Sequence, residues 1–371
     1  MDTDGREAFY ERIESFVAAK LKPGTRDRER QGEICHTLIK EMGTEGLLAV
    51  NVAKELGGQG AGVVAYANAV KRVAEADASV AVTMAVTNMV GEVIQQFGSA
   101  EQKATYCPKL ASGEFFAGAF ALSEPGSGSD AASLQTKAIQ EGDDWVITGQ
   151  KMWITSGTEA GVFVVWARTS GSGPKGITCF LVEKGAEGLE VGKPEHKMGL
   201  KASHTVPLNL EQVRVPSTAI LGNEGDGFKI AMVALDGGRI GISSQATGIA
   251  TAARDRLVHR LSESSVDQAI EFGIADIEMR IQAGWLLALQ AAELKERGQP
   301  FSKEAAMAKV QTTEGANKVA RDALELAAYA GLDECPKQSQ LVRDVRVSQI
   351  YEGTSEVQRI VIGRSVLREA R

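Results

Sequence analysis

The hydrophobic spacing of this 371-residue chain changes character twice, and a fold with one kind of secondary structure cannot accommodate both changes. Up to about residue 113, apolar positions recur at three- and four-residue steps, most clearly over 9–21, 34–42 and 63–75. That is the pattern of amphipathic helices. Residues 78–97 carry few charges and read as a buried helix. From about 116 to 221 short β-branched runs take over at 145–148, 162–167, 177–182 and 205–210, separated by Gly, Pro and Ser clusters. Helical spacing returns over 230–260, 266–297, 303–329 and 341–349, with a fifth segment at 357–369. The expected fold is α+β. An N-terminal all-α domain (1–115) leads to a middle β-barrel domain (116–226) and then to a C-terminal four-helix-bundle domain (227–371).

Charge and cysteine usage remove several function classes. The net charge is −7, which argues against general nucleic-acid binding, where affinity comes from neutralising phosphates. The four cysteines (Cys35, Cys107, Cys179, Cys335) are widely scattered, and the four histidines (His36, His196, His204, His259) have no metal-ligand spacing. No disulfide framework and no metal site are expected. No apolar run is long enough to span a bilayer, and the acidic start of the chain is not a secretory signal. The expectation is a cytoplasmic protein. The glycine-rich run at 57–62 does not match GxGxxG and reads as a turn between helices.

Three segments carry chemistry. Residues 349–359 (QIYEGTSEVQR) place Glu352 immediately before a glycine. A carboxylate on such a turn is able to point into a cavity as a base. The same residues also read as a helix start, with Thr354 or Ser355 capping and Glu356 at the positive end of the macrodipole. Residues 120–130 (FALSEPGSGSD) let backbone N–H groups approach a ligand, and Ser123, Ser127 and Ser129 add hydroxyls. Residues 151–157 (KMWITSG) set an indole beside a hydroxyl. Trp153 either fills a core or stacks on a flat heterocycle whose edge Thr155 binds.

These three segments, in this order, resemble the acyl-CoA dehydrogenase family, and most closely its short-chain type. Supporting stretches are 97–106 (FGSAEQKATY), 110–114 (LASGE), 198–203 (MGLKAS), 213–216 (VRVP), 236–249 (DGGRIGISSQATGI) and 304–309 (EAAMAK). The resemblance covers nearly the whole chain. It implies that FAD and an acyl-CoA thioester meet at a carboxylate, which removes the Cα proton while the flavin takes hydride from Cβ, giving a trans-2-enoyl-CoA. On this reading Glu352 is the catalytic base. The cofactor contacts are Phe120, Leu122, Ser123, Gly128, Ser129, Trp153, Ile154, Thr155, Thr354 and Glu356. The substrate contacts are Ser129, Asp236, Arg239, Tyr351 and Gly353. The resemblance also implies a homodimer or homotetramer and an electron-transferring flavoprotein as acceptor.

The chain departs from the family where the ADP half of FAD is held by a neighbouring subunit. An Arg-x-x-Phe-Gly loop is shortened away within residues 257–270, leaving Arg260 as the nearest substitute. A Gln-x-x-Gly-Gly-x-Gly element becomes Glu325, Ala328 and Tyr329 at its Gln, Gly and Gly positions. A carboxylate and a bulky ring then face the pyrophosphate. Weak FAD binding follows as an expectation. The alternatives are an acyl-CoA-binding or sensing protein without flavin, and one subunit of a heteromeric dehydrogenase whose related partner supplies the missing clamp.

Overall fold

A computed structural model describes residues 3–262 and 265–370. Met1 and Asp2 of the polar start, Glu263 and Ser264 of the shortened 257–270 segment, and Arg371 lie outside the described residues. The N-terminal part is helical as its spacing requires: α1 (Thr3–Phe16), α2 (Lys22–Gln31), α3 (His36–Thr44), α4 (Val63–Ala76), α5 (Ala78–Phe97) and α6 (Ala100–Ala111). A π-helical turn, Val17–Leu21, joins α1 to α2. Side chains stop and start these helices. Asp77 accepts from the Ser79 and Val80 amides to cap α5, and its carboxylate also receives Arg28 Nε at 2.7 Å. Ser99 and Gln102 form a reciprocal capping box on α6. The glycine-rich run at 57–62 is a connection between α3 and α4, as its sequence predicts.

Helix α5 corrects one expectation. It is long and apolar enough to cross a membrane by length and composition, but 89% of its most apolar window is buried inside the protein. Its apolarity belongs to a core helix: it packs against α4, α6, the first strand and α7 (Gly227–Leu261).

The middle region is a sheet of eight strands: β1 (Gly118–Ala121), β2 (Lys137–Glu141), β3 (Asp144–Thr155), β4 (Val162–Arg168), β5 (Ile177–Glu183), β6 (Leu189–Val191), β7 (Thr205–Pro216) and β8 (Ile220–Leu221). The order is β6-β7-β3-β2-β4-β5-β8, with β1 parallel to β4. The expected barrel does not close. Its end strands β6 and β8 are three and two residues long, and they sit at opposite ends of the pairing path. Closure is not needed to hide the second face, because helices cover it. Phe163, Val165 and Phe180 belong to the sheet's own core, whereas the alternate residues Val164, Trp166 and Leu181 join the core shared with α5 and α7. Strands buried on both faces read as continuous apolar runs, as β4 and β5 do. Trp166 Nε1 donates to Gly227 O at 2.7 Å and ties the sheet to the start of α7.

The C-terminal part contains α7, α8 (Gln268–Glu296), α9 (Ser302–Tyr329), α10 (Pro336–Val345) and α11 (Ser355–Glu369). Helix α7 packs against α4, α5, α8, α9 and α10 and is therefore apolar or small on nearly every face. It is the central strut that carries Asp236 and Arg239 to the site.

Candidate active site

A 3₁₀ turn (Arg346–Gln349) extends α10, and the chain then reverses before α11. Glu352 has φ +53° and Gly353 φ +85°. Left-handed backbone is easy for glycine and costs about 1–3 kcal/mol for a residue such as Glu. Hydrogen bonds hold the reversal. Lys309 Nζ donates to Gly353 O at 2.6 Å, while Gln358 Nε2 donates to Gly353 O at 3.0 Å and to Glu352 O at 3.3 Å. Thr354 caps α11 through Val357 N. The segment is a capped helix start immediately preceded by a left-handed turn that carries Glu352.

The carboxylate of Glu352 lies over α7. Its Oε2 is buried and has no hydrogen-bond partner among the described residues. A Cβ added at Gly238 would stand 2.6 Å from that oxygen and 3.0 Å from Met89 Sδ, so the glycine makes the room. Burial pushes the Glu352 carboxyl up to about 7, against the opposing pull of Lys309 and Arg239. Arg239 is 5% exposed. It pairs with Asp236 at 2.5 Å, and its Nε is another buried atom without a partner. Asp236 also receives Ser302 Oγ at 3.1 Å, and burial raises its carboxyl. Tyr351 is bound through its hydroxyl to Gln245 on α7. The turn and α7 thus gather Glu352, Tyr351, Gly353, Asp236 and Arg239. They leave an unpartnered acceptor and an unpartnered donor, the complement of a polar ligand.

The middle region supplies the flat-ring contacts. The β3–β7 register breaks between Lys151 and Ile154, and Trp153 sits in that break with φ +64°. A bulge re-aims the side chain it contains. Trp153 is 59% exposed, so it is not core, while its neighbour Ile154 is buried. Thr155 is partly exposed. A buried ion pair fixes the neighbouring loop: Lys151 Nζ contacts Glu124 Oε1 at 2.8 Å and Leu122 O at 3.3 Å. Glu124 also receives the amides of Gln135 and Thr136, and Met152 N donates to Ser123 O. Ser123 is partly exposed, and Gly128 and Ser129 lie exposed at the loop tip. A Cβ added at Gly126 or Gly128 would meet nothing within 4 Å. Leu122 is buried, and Phe120 packs on Trp166 with ring centroids 4.3 Å apart. Helix α5 joins the two sets: Met89 borders Glu352, and Thr83 Oγ1 receives Ser156 Oγ at 3.4 Å, just beyond Thr155. Glu356 is exposed at the start of α11, where its own backbone amide and Thr354 hold its carboxyl below the usual range.

At the far end of α9 exposed polar groups bind one another. Tyr329 Oη donates to Asp267 Oδ2 at 2.9 Å, and Asp267 caps α8 through Ile270 N at 3.0 Å. Arg260 spends its guanidinium on Asp333 O. Glu325 and Ala328 are exposed on the same stretch of α9.

Comparison with known proteins decides the family. The N-terminal, middle and C-terminal domain profiles of acyl-CoA dehydrogenase match residues 3–114, 119–213 and 225–367. This chain belongs to the acyl-CoA dehydrogenase family. It is 40% identical to an acyl-CoA dehydrogenase of Bacillus subtilis over 96% of both chains. It is 44% identical to the mitochondrial short-chain specific acyl-CoA dehydrogenase of Homo sapiens, over 96% of this chain and 88% of that one. The structure of butyryl-CoA dehydrogenase from Megasphaera elsdenii superposes with a TM-score of 0.94 at 37% identity, covering 99% of this chain and all of that one. A chain from the study of the electron transferring flavoprotein of Acidaminococcus fermentans gives 0.95 at 37% identity, with the same coverage.

Several participants escape a reading of sequence alone. Lys309, Lys151 and Glu124 fall inside recognisable segments, but lysines and glutamates ordinarily read as surface, and their burial depends on tertiary packing. Gly238 and Met89 carry no signal beyond their places on helices.

Proposed function

We propose that this protein catalyses the α,β-dehydrogenation of an acyl-CoA thioester, with Glu352 removing the Cα proton. One observation carries the reading: Glu352 Oε2 is buried and unpartnered beside the room left by Gly238, and burial raises its carboxyl to about 7. A thioester α-proton is weakly acidic. A desolvated carboxylate that titrates near the working pH is the base such a step needs. Gly238 leaves space beside it, and Arg239 offers a buried donor for a polar part of the substrate. Tyr351 and Gly353 would border the thioester, and Asp236 would orient Arg239.

FAD, when bound, supplies the hydride acceptor. The residues present fit its ring half. Trp153 offers an exposed indole on a bulge, Ile154 and Leu122 are buried beside the two loops, and Thr155 and Ser123 offer polar edges. Gly128 and Ser129 keep the loop open, Phe120 packs beneath the sheet, and Thr354 and Glu356 flank the base turn. The residues at the tail end do not fit an ADP group. Tyr329 and Asp267 bind each other, Arg260 is engaged elsewhere, and Glu325 adds a like charge. We therefore propose weakened FAD binding in the homo-oligomer. Exposed Phe272, Met279 and Leu286, at seven-residue steps along α8, support self-association. A second reading is favoured by the same closed tail end: one subunit of a heteromer in which a related partner supplies the clamp. The flavin-free acyl-CoA-binding reading is less well supported, because the base and ring contacts are intact. An electron-transferring flavoprotein is the proposed acceptor.

The test is anaerobic addition of butyryl-CoA to FAD-reconstituted protein. Bleaching of the visible flavin band, with 2-enoyl-CoA formed, is expected. Reconstituted protein that binds butyryl-CoA and keeps its flavin oxidised would overturn the reading.

A further inference from the structure

Lys309 has no part in the proposed function above, yet its side chain is entirely buried. A buried ammonium group requires compensation. Its Nζ donates to a neutral acceptor, Gly353 O, at 2.6 Å. Its charge is answered at longer range by Glu352, Glu314 and Glu356, with Arg239 opposing. Gln358 also holds Gly353 O, so the turn has a second clasp that carries no charge. What Lys309 adds beyond that clasp is a positive charge next to the proposed base.

We propose that Lys309 is a positioning residue for Glu352: its ammonium group pins the carbonyl that follows the base and sets a buried positive charge beside the carboxylate. This rests on the assignment of Glu352 as the base. The groups facing Glu352 are Lys309 from α9, Arg239 from α7, Tyr66 from α4, and Tyr351 on its own turn. Both tyrosines are pushed well above their ordinary range and stay neutral. Lys309 and Arg239 are therefore the charges that oppose burial, Lys309 the larger of the two. Burial lowers Lys309 itself to about 8, so its charge is present at neutral pH and is lost as pH rises through the upper part of the range in which Glu352 titrates.

Three variants separate charge from clasp. Lys309→Gln keeps a donor and loses the charge, Lys309→Arg keeps the charge, and Lys309→Met loses both. The Glu352 carboxyl is titrated by infrared difference spectroscopy on whole protein and assigned as the band missing in Glu352→Gln. In Lys309→Gln and Lys309→Met the midpoint moves up by about one pH unit or more, as expected when an opposite charge near a carboxylate is removed. In Lys309→Arg it stays near wild type. An unchanged midpoint in Lys309→Gln overturns the proposal, and so does an equal rise in Lys309→Arg. Exchange of the butyryl-CoA α-proton in D₂O is followed alongside. With wild-type exchange present, the Lys309→Gln rate falls at pH 7 and recovers at higher pH. Absence of exchange in wild type sinks the assignment of Glu352 as base, while the infrared titration still judges Lys309.

Discussion

The two ends of the proposed cofactor path differ in what their polar groups are doing. At the ring and base end they are held in reserve: Glu352 Oε2 and Arg239 Nε are buried without partners, and Trp153 presents its indole to open space. At the tail end they are consumed: Tyr329 is bonded to Asp267, and Arg260 to Asp333 O. Unsatisfied polar atoms that converge beside an open space, as these do next to Gly238, are able to take up a ligand. Polar atoms that satisfy one another have less to offer a ligand, which is the basis of the weakened binding proposed above. The family fold is kept, so the difference arises from a few side chains and from the connection between α7 and α8, which the sequence reads as shortened.

The largest expected effect lies at the open end. Glu352→Gln preserves shape and cannot accept a proton. Exchange of the acyl-CoA α-proton, read by NMR in D₂O, should fall by about 10²–10⁴-fold with acyl-CoA affinity retained. Substantial residual exchange would remove Glu352 from its role and erase the contrast.

The next concerns what holds that end open. Lys151→Met leaves Glu124 buried without its counter-charge and should destabilise the protein by about 3–5 kcal/mol in urea unfolding. Adding Glu124→Leu should recover much of that stability, while the 122–130 loop stays detached. A small effect from the single substitution would show that the loop is supported elsewhere.

A smaller effect concerns pH. The folded-state carboxyl of Glu352 lies near 7, above the ordinary 4.5. The native state therefore binds the extra proton between those values, and stability is lost as pH rises through that window. Glu352→Gln carries no such penalty. It should match wild type below about pH 4.5 and exceed it by roughly 1–3 kcal/mol above pH 7. Equal stability at pH 8 would mean that the carboxylate is better solvated than its position implies.

The smallest effect lies at the closed end. The Tyr329–Asp267 bond is exposed, so Tyr329→Phe should change the thermal unfolding free energy by less than about 1 kcal/mol. A larger loss would make this contact a structural necessity and not simply a filled ligand site.

How much of this was legible beforehand follows from what periodicity encodes. The helix–sheet–helix order and the long C-terminal helices were readable, because a 3.6-residue spacing persists over many turns. The barrel was not correct: strand composition says nothing about whether β6 and β8 meet, and those two are too short to do so. The Glu352 turn was readable because Gly353 marks a left-handed backbone. The outward set of Trp153 was not, because it depends on a register break against β7, some fifty residues away. Lys309 was hidden for a similar reason, since only the packing of α9 under the base turn reveals a lysine as interior. At the tail end, the substituted side chains were readable, but the mutual bond of Tyr329 and Asp267 was not.

The contrast is tested most directly by comparing the equilibrium affinities of FAD and FMN for the purified protein. An intact ring site and a closed tail site predict similar Kd values, within about tenfold, because the ADP group gains little. Losing two charge-assisted contacts of about 1.5–3 kcal/mol each accounts for the missing advantage. FAD binding at least about a hundredfold tighter than FMN, with full occupancy in a homo-oligomer, would contradict the account.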